Sequence, residues 1–117
     1  MFSDREQRVA VVKTLFGAFN HAAWMTDDGM SEEACAHVKR LGEGKPTGLS
    51  SSAEWMFQLG VSLWDPYAGS MHFGKFFNLD GRNRQIVFGL LACFTDWKEQ
   101  SDKVEAWLEQ WKALREC

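Results

Sequence analysis

The chain has 117 residues, 45% of them hydrophobic, with a formal net charge of −3. That is the size and composition of one globular domain (residues 1–117 as a single helical unit), large enough to fold without disulfides or a structural metal. Lysine and arginine are scattered through an acidic whole, broken only by short clusters such as Lys39-Arg40 and Arg82-Asn83-Arg84, which argues against a nucleic-acid partner.

Taken in order, the pattern predicts a first helix from about Asp4 to Trp24. Ser3 and Glu6 fit an S-x-x-E capping box, and Val9, Val12, Leu15, Phe16, Phe19 and Ala23 recur at helical spacing. Gly17 inside this helix suggests that another helix crosses closely there. Thr26-Asp27-Asp28-Gly29 is turn chemistry. Ser31 with Glu32-Glu33 opens a second, peripheral helix whose inward side is expected at Cys35, Val38 and Leu41, with Gly42 ending it. A Gly- and Pro-containing loop runs to Ser50.

Ser51 and Glu54 then repeat the capping-box spacing and open a third helix that is apolar on more than one face (Trp55, Met56, Phe57, Leu59, Val61, Leu63, Trp64). Pro66 ends it. Phe73, Phe76 and Phe77 suit a short helical turn between helices three and four. Asp80 is the expected N-cap of the fourth helix, whose apolar face is read as Ile86, Val87, Leu90, Leu91, Phe94 and Trp97. The polar stretch from Thr95 to Asp102 breaks the chain. Ser101 caps a last helix striped with Val104, Trp107, Leu108, Trp111 and Leu114. No strand-like alternation stands out. The expected fold is all-α, a compact bundle of about five helices, with the stretch from Ser51 to Phe94 supplying most of the core.

The longest apolar run, Ile86 to Phe94, falls far short of the roughly 20 residues of a membrane span. The charged opening MFSDREQR does not resemble a signal peptide. Cys35, Cys93 and Cys117 have unrelated spacings, as expected of reduced thiols in the cytoplasm.

Motifs for chemistry are sparse. Asp65 to Phe76 has the length of a calcium-binding loop, but Tyr67, Gly69, Ser70 and Phe76 stand where oxygen ligands, the turn glycine and the bidentate acid belong. The loop is also too long for a DNA-binding helix-turn-helix. Cys35 and His37 are two apart on a helix and point to different sides, and His21 with Met25 at i, i+4 lacks further ligands. Neither a metal nor any other cofactor is therefore expected. Nor does a nucleophile stand beside a base, so no catalytic residue is assigned.

What does stand out is six Trp and nine Phe, a heavy load for a small core, since each ring buries 150–250 Å². The leading expectation is a non-enzymatic protein acting through contacts with a protein partner or with its own copies. Trp55, Trp64, Trp107 and Trp111 are the candidate aromatic anchors, and Asp65, Tyr67 and His72 the candidate polar loop residues. A small-molecule ligand in an aromatic pocket between the third helix, the Phe73–Phe77 turn and the last helix is the alternative. A regulator touching nucleic acid comes after it.

Overall fold

The computed structural model describes residues 4–65, 67, 75, 76, 79–95 and 98–116. Ser3, Pro66, His72, Phe73, Phe77, Trp97 and Cys117 lie outside the described residues. The elements are α1 (Asp4–Gly17), a 3-10 turn (Ala22–Trp24), β1 (Met25–Thr26), β2 (Gly29–Met30), α2 (Glu32–Gly42), α3 (Ser51–Trp64), α4 (Gly81–Ala92) with a 3-10 extension (Cys93–Thr95), α5 (Gln100–Gln110) and α6 (Lys112–Arg115). Among the described residues the fold is thus all-α apart from one small antiparallel ribbon, which pairs Met25 with Met30 and Thr26 with Gly29 across the expected turn. Two residues per strand are too few to show an alternating pattern in sequence.

Helix α1 ends earlier than its apolar periodicity suggests. Asn20 adopts a left-handed conformation (φ 69°). Around it the His21 N–H bonds to the Phe16 carbonyl at 2.9 Å and the Asn20 N–H to that of Gly17 at 3.1 Å. That pairing is a Schellman stop, which asparagine tolerates better than other side-chain-bearing residues. His21 and Met25 consequently do not share a helix face. Met25 is fully buried in β1, while His21 lies in the turn before it.

Helix α2 begins as expected, with the Ser31 hydroxyl accepting from the Ala34 N–H at 3.2 Å. Its inner face is Ala34, His37, Val38 and Leu41, whereas Cys35 is exposed. The left-handed residue that stops it is Gly44 (φ 69°), not Gly42. The Lys45 N–H then closes on the Arg40 carbonyl at 2.9 Å.

Helix α3 is capped one residue earlier than the S-x-x-E spacing implies. Ser50 accepts from the Ala53 N–H at 3.2 Å, and Glu54 is released for other work. Asp80 caps α4 through the Asn83 N–H at 2.8 Å, as expected. Ser101 does not cap α5; that helix starts at Gln100, and the Ser101 carbonyl and hydroxyl accept from the Gln7 amide instead.

The core has two halves that share one wall. On one side of the α1–α3 pair, Leu15, Trp55, Met56 and Leu59 meet Ile86, Val87, Leu90, Val104, Trp107 and Leu108 of α4 and α5. On the other side, Val12, Phe16, Phe57 and Val61 meet Met25 and Ala34 of the ribbon and α2. Among the described residues, helix α1 packs against α3, the 22–24 turn, β1, α5 and α6. The radius of gyration, 13.6 Å, is that of a compact chain of this length.

Where α1 meets α6, the approach requires glycine. A methyl group on Gly17 would sit 2.0 Å from the Leu114 carbonyl oxygen. Alanine gains about 1 kcal/mol of helix propensity, but overpacking against backbone costs about 1–3 kcal/mol. Gly17→Ala is therefore expected to lower the urea midpoint, and an unchanged or raised midpoint would show that α6 yields freely.

Candidate functional site

Two features stand apart from the ordinary apolar core. One is a buried polar cluster between α2 and α3; the other is the outer face of α4.

His37 is fully buried on the inner face of α2. Its Nε2 lies 2.7 Å from Glu54 Oε1, and its Nδ1 lies 3.5 Å from the Arg40 guanidinium. A guanidinium can only donate, so the two contacts suit the tautomer in which Nδ1 accepts and the Nε2–H donates to the carboxylate. The Thr47 hydroxyl donates to the same Glu54 oxygen. The imidazole sits edge-to-face on Phe57 (centroids 4.6 Å apart) and beside Trp24 (5.2 Å), which in turn stacks on His21 at 4.2 Å. Glu54 Oε2 is buried and has no hydrogen-bond partner among the described residues.

Thr47 and His37 both donate to the same Glu54 oxygen, and the remaining imidazole nitrogen faces the Arg40 guanidinium. The cluster is a clasp that ties α2, the loop after it and α3. In sequence it was hidden because Glu54 satisfied a capping-box spacing and His37 stood alone.

Burial pushes the Cys93 thiol up, with Lys103 opposing only in part, and its Sγ–H donates to the Gly89 carbonyl at 3.2 Å. Among the described residues, no three His, Cys, Asp or Glu side chains converge as metal ligands. No helix of the described residues is long and apolar enough to cross a membrane.

The residues singled out in sequence do not gather into one place. Trp55 and Trp107, 5% and 3% exposed, are core residues, and Trp111 packs half-buried against the same cluster. The Trp107 indole N–H donates to the Ile86 carbonyl at 2.8 Å. Trp64 belongs to the other half of the core, where the Arg8 guanidinium lies over its ring at 4.9 Å and that of Arg5 at 5.7 Å. Asp65 accepts from the Tyr67 N–H at 3.1 Å, and Tyr67 is 99% exposed. His72 lies outside the described residues.

The α4 face was not legible in sequence. Ile86, Val87, Leu90 and Cys93 point inward, while Phe88, Leu91 and Phe94 are 57%, 41% and 44% exposed. Leu91 and Phe94 thus lie outside the apolar face assigned to them from sequence. The run from Ile86 to Phe94 is apolar almost throughout, so periodicity alone could not set its phase. Phe88 is also held in place. Its ring stands edge-on to Phe76 at 4.9 Å, and Phe76 edge-on to the buried Trp55 at 5.4 Å. This aromatic ladder fixes an exposed ring to the core.

Phe94 also lines a groove of about 420 Å³ whose apolar walls are Val11, Leu63 and Val104, with Asp4, Gln7, Arg8 and Gln100 at its rim. A second cleft, about 630 Å³, lies over Val9 and Ala10 among Arg5, Lys13, Arg115 and the acids Glu6, Asp27 and Glu116. Two of its cations are already committed to the backbone, Arg5 to the Asp27 carbonyl at 2.7 Å and Arg115 to that of Leu108 at 2.6 Å.

No family model, curated protein or solved structure matches the chain.

Proposed function

We propose that this protein is a helical interaction module that binds another protein chain through the outer face of α4, and that it works in the reducing cytoplasm, where Cys35 and Cys93 stay free thiols. The observation that carries the reading is Phe88. It is a large ring, more than half exposed, yet braced through Phe76 to the core residue Trp55. The edge-to-face pairs contribute to the fold in their own right, and for an interface anchor they also order the ring in advance, which lowers the entropy lost on binding. Leu91 and Phe94 extend the patch, and the groove beside Phe94 gives it depth.

Native mass spectrometry of the protein purified gently from its own cells tests this directly. The intact chain is expected at a mass exceeding one copy, and Phe88→Asp is expected to return it to a single chain. Loss of such an anchor weakens binding by about 2 kcal/mol, roughly 30-fold. The same change should cost the fold only about 1 kcal/mol, because the ring is already in water on one side. A variant that keeps the full complex mass would remove α4 from consideration.

A further inference from the structure

We infer that the cleft bounded by α1, the end of α6 and the Asp27 turn is a binding site for a small phosphorylated polyhydroxy compound, of the sugar phosphate class. None of its lining residues belongs to α4, so the inference stands apart from the interaction reading above.

Three observations carry it. The first is size and floor. The cleft has a volume of about 630 Å³, within the roughly 300–1,000 Å³ of small-ligand sites. Val9 and Ala10, 6% and 9% exposed, give it an apolar base on which a short carbon skeleton can lie.

The second is the state of its cations. Arg5, Lys13 and Arg115 all line the cleft. Among the described residues, however, the ion pairs use His37, Lys45, Lys103 and Lys112, and none of these three. Both guanidiniums are nevertheless fixed in place. Nη1 of Arg5 donates to the Asp27 carbonyl at 2.7 Å, and its guanidinium lies over the Trp64 ring at 5.7 Å. Nη1 of Arg115 donates to the Leu108 carbonyl at 2.6 Å and lies 3.4 Å from the hydroxyl of the buried Thr14. A carbonyl positions a guanidinium without neutralising it, and Nε and Nη2 of each remain for an oxyanion. Lys13, half-buried beside them, adds a third positive charge.

The third observation is that acids share the cleft. Glu6, Asp27 and Glu116 also line it, with Glu116 drawn toward Lys112 at 3.7 Å. Carboxylates oppose a bare anion but accept hydrogen bonds from hydroxyl groups. A ligand with a dianion at one end and several hydroxyls at the other satisfies both sets. Its phosphate meets the guanidiniums, its hydroxyls donate to the carboxylates, and its carbon atoms lie on Val9 and Ala10. Inorganic phosphate supplies only the first of these contacts, and an uncharged sugar lacks it.

Ribose 5-phosphate, inorganic phosphate and ribose, titrated into the isotope-labelled full chain and followed by backbone amide shifts, test the inference. Ribose 5-phosphate is expected to move the amides of Val9, Ala10 and Lys13 with a Kd of about 1 mM, the value that ordinary ligand efficiency gives so small a molecule. Inorganic phosphate should bind about tenfold more weakly, and ribose should give no saturating shift. Lys13→Gln removes a charge that has no ion-pair partner among the described residues, and should weaken ribose 5-phosphate about tenfold. Asp27→Asn should narrow the gap between ribose 5-phosphate and inorganic phosphate, because it removes a hydroxyl acceptor and a repulsive charge together. The amide spectra show whether each variant is folded, and either one suffices if the other is not. Phe88→Asp should bind ribose 5-phosphate as the parent chain does. The absence of shifts up to about 10 mM ribose 5-phosphate, ten times the expected Kd, overturns the inference. So do shifts confined to other residues, or an affinity untouched by Lys13→Gln. Equal affinities for ribose 5-phosphate and inorganic phosphate would mean a plain anion site and would overturn the sugar phosphate assignment.

Discussion

His37→Ala is expected to destabilise the fold by about 3 kcal/mol, the sum of a lost hydrogen bond to a charged group and of the cavity that the ring leaves. Three effects add. The Glu54 carboxylate loses the His37 donor, at 2.7 Å, and among the described residues keeps Thr47. Its second oxygen already lacks a partner among the described residues. Finally, a void opens against Phe57 and Trp24, which now face the ring. The Glu54 side chain retains 17% exposure, so water can supply part of the missing hydrogen bonding and limits the loss. In thermal unfolding the loss corresponds to a fall of about 10 °C. Glu54→Ala in the same background removes the stranded charge, so the double variant should lose less than the two single changes summed. Strict additivity would mean that the pair does not act as a unit.

That clasp shows where sequence reading stops. The ends of elements were legible wherever one side chain does one local job: Ser31 and Asp80 cap the helices that they precede, and the Val104–Trp107–Leu108 stripe faces the core. Errors came where a residue satisfies a local rule but is used over a distance. Glu54 stands three residues after Ser51, yet Ser50 does the capping and Glu54 turns to His37. Asn20 carries a stop signal, but the apolar residues on either side of it continue the helical rhythm and mask it. For the site the limit is more severe. In a run such as Ile86 to Phe94 the inward face is decided by what Asn83, Trp107 and Leu108 pack against, and no single-sequence period records that.

Trp107→Ala should be the most damaging change to the α4–α5 contact, costing about 3–5 kcal/mol, typical of removing a buried aromatic side chain. The indole is 3% exposed and spans from Val104 and Leu108 to α4, where its N–H reaches the Ile86 carbonyl at 2.8 Å. Gly89 leaves room for it: a methyl group there would lie 3.2 Å from the indole Cδ1. Trp107→Phe separates the two contributions, retaining most of the ring while removing the donor, and is expected to cost about 1–2 kcal/mol. Urea unfolding of both variants provides the check. Equal losses would mean that the hydrogen bond dominates, against the packing argument.

The contact of Gly17 with Leu114 has a consequence for how the chain is made. Helix α1 leaves the ribosome first among the described elements, yet α6, which closes over it, is translated nearly a hundred residues later. At ordinary elongation speeds that delay is about 5–20 s. Throughout it Val12, Leu15 and Phe16, all fully buried in the finished fold, have only part of their final surroundings. The nascent chain is therefore most exposed to misassociation at α1, and slowing translation of the segment that runs through α5 and α6 should lower the soluble yield while leaving the stability of the finished protein unchanged.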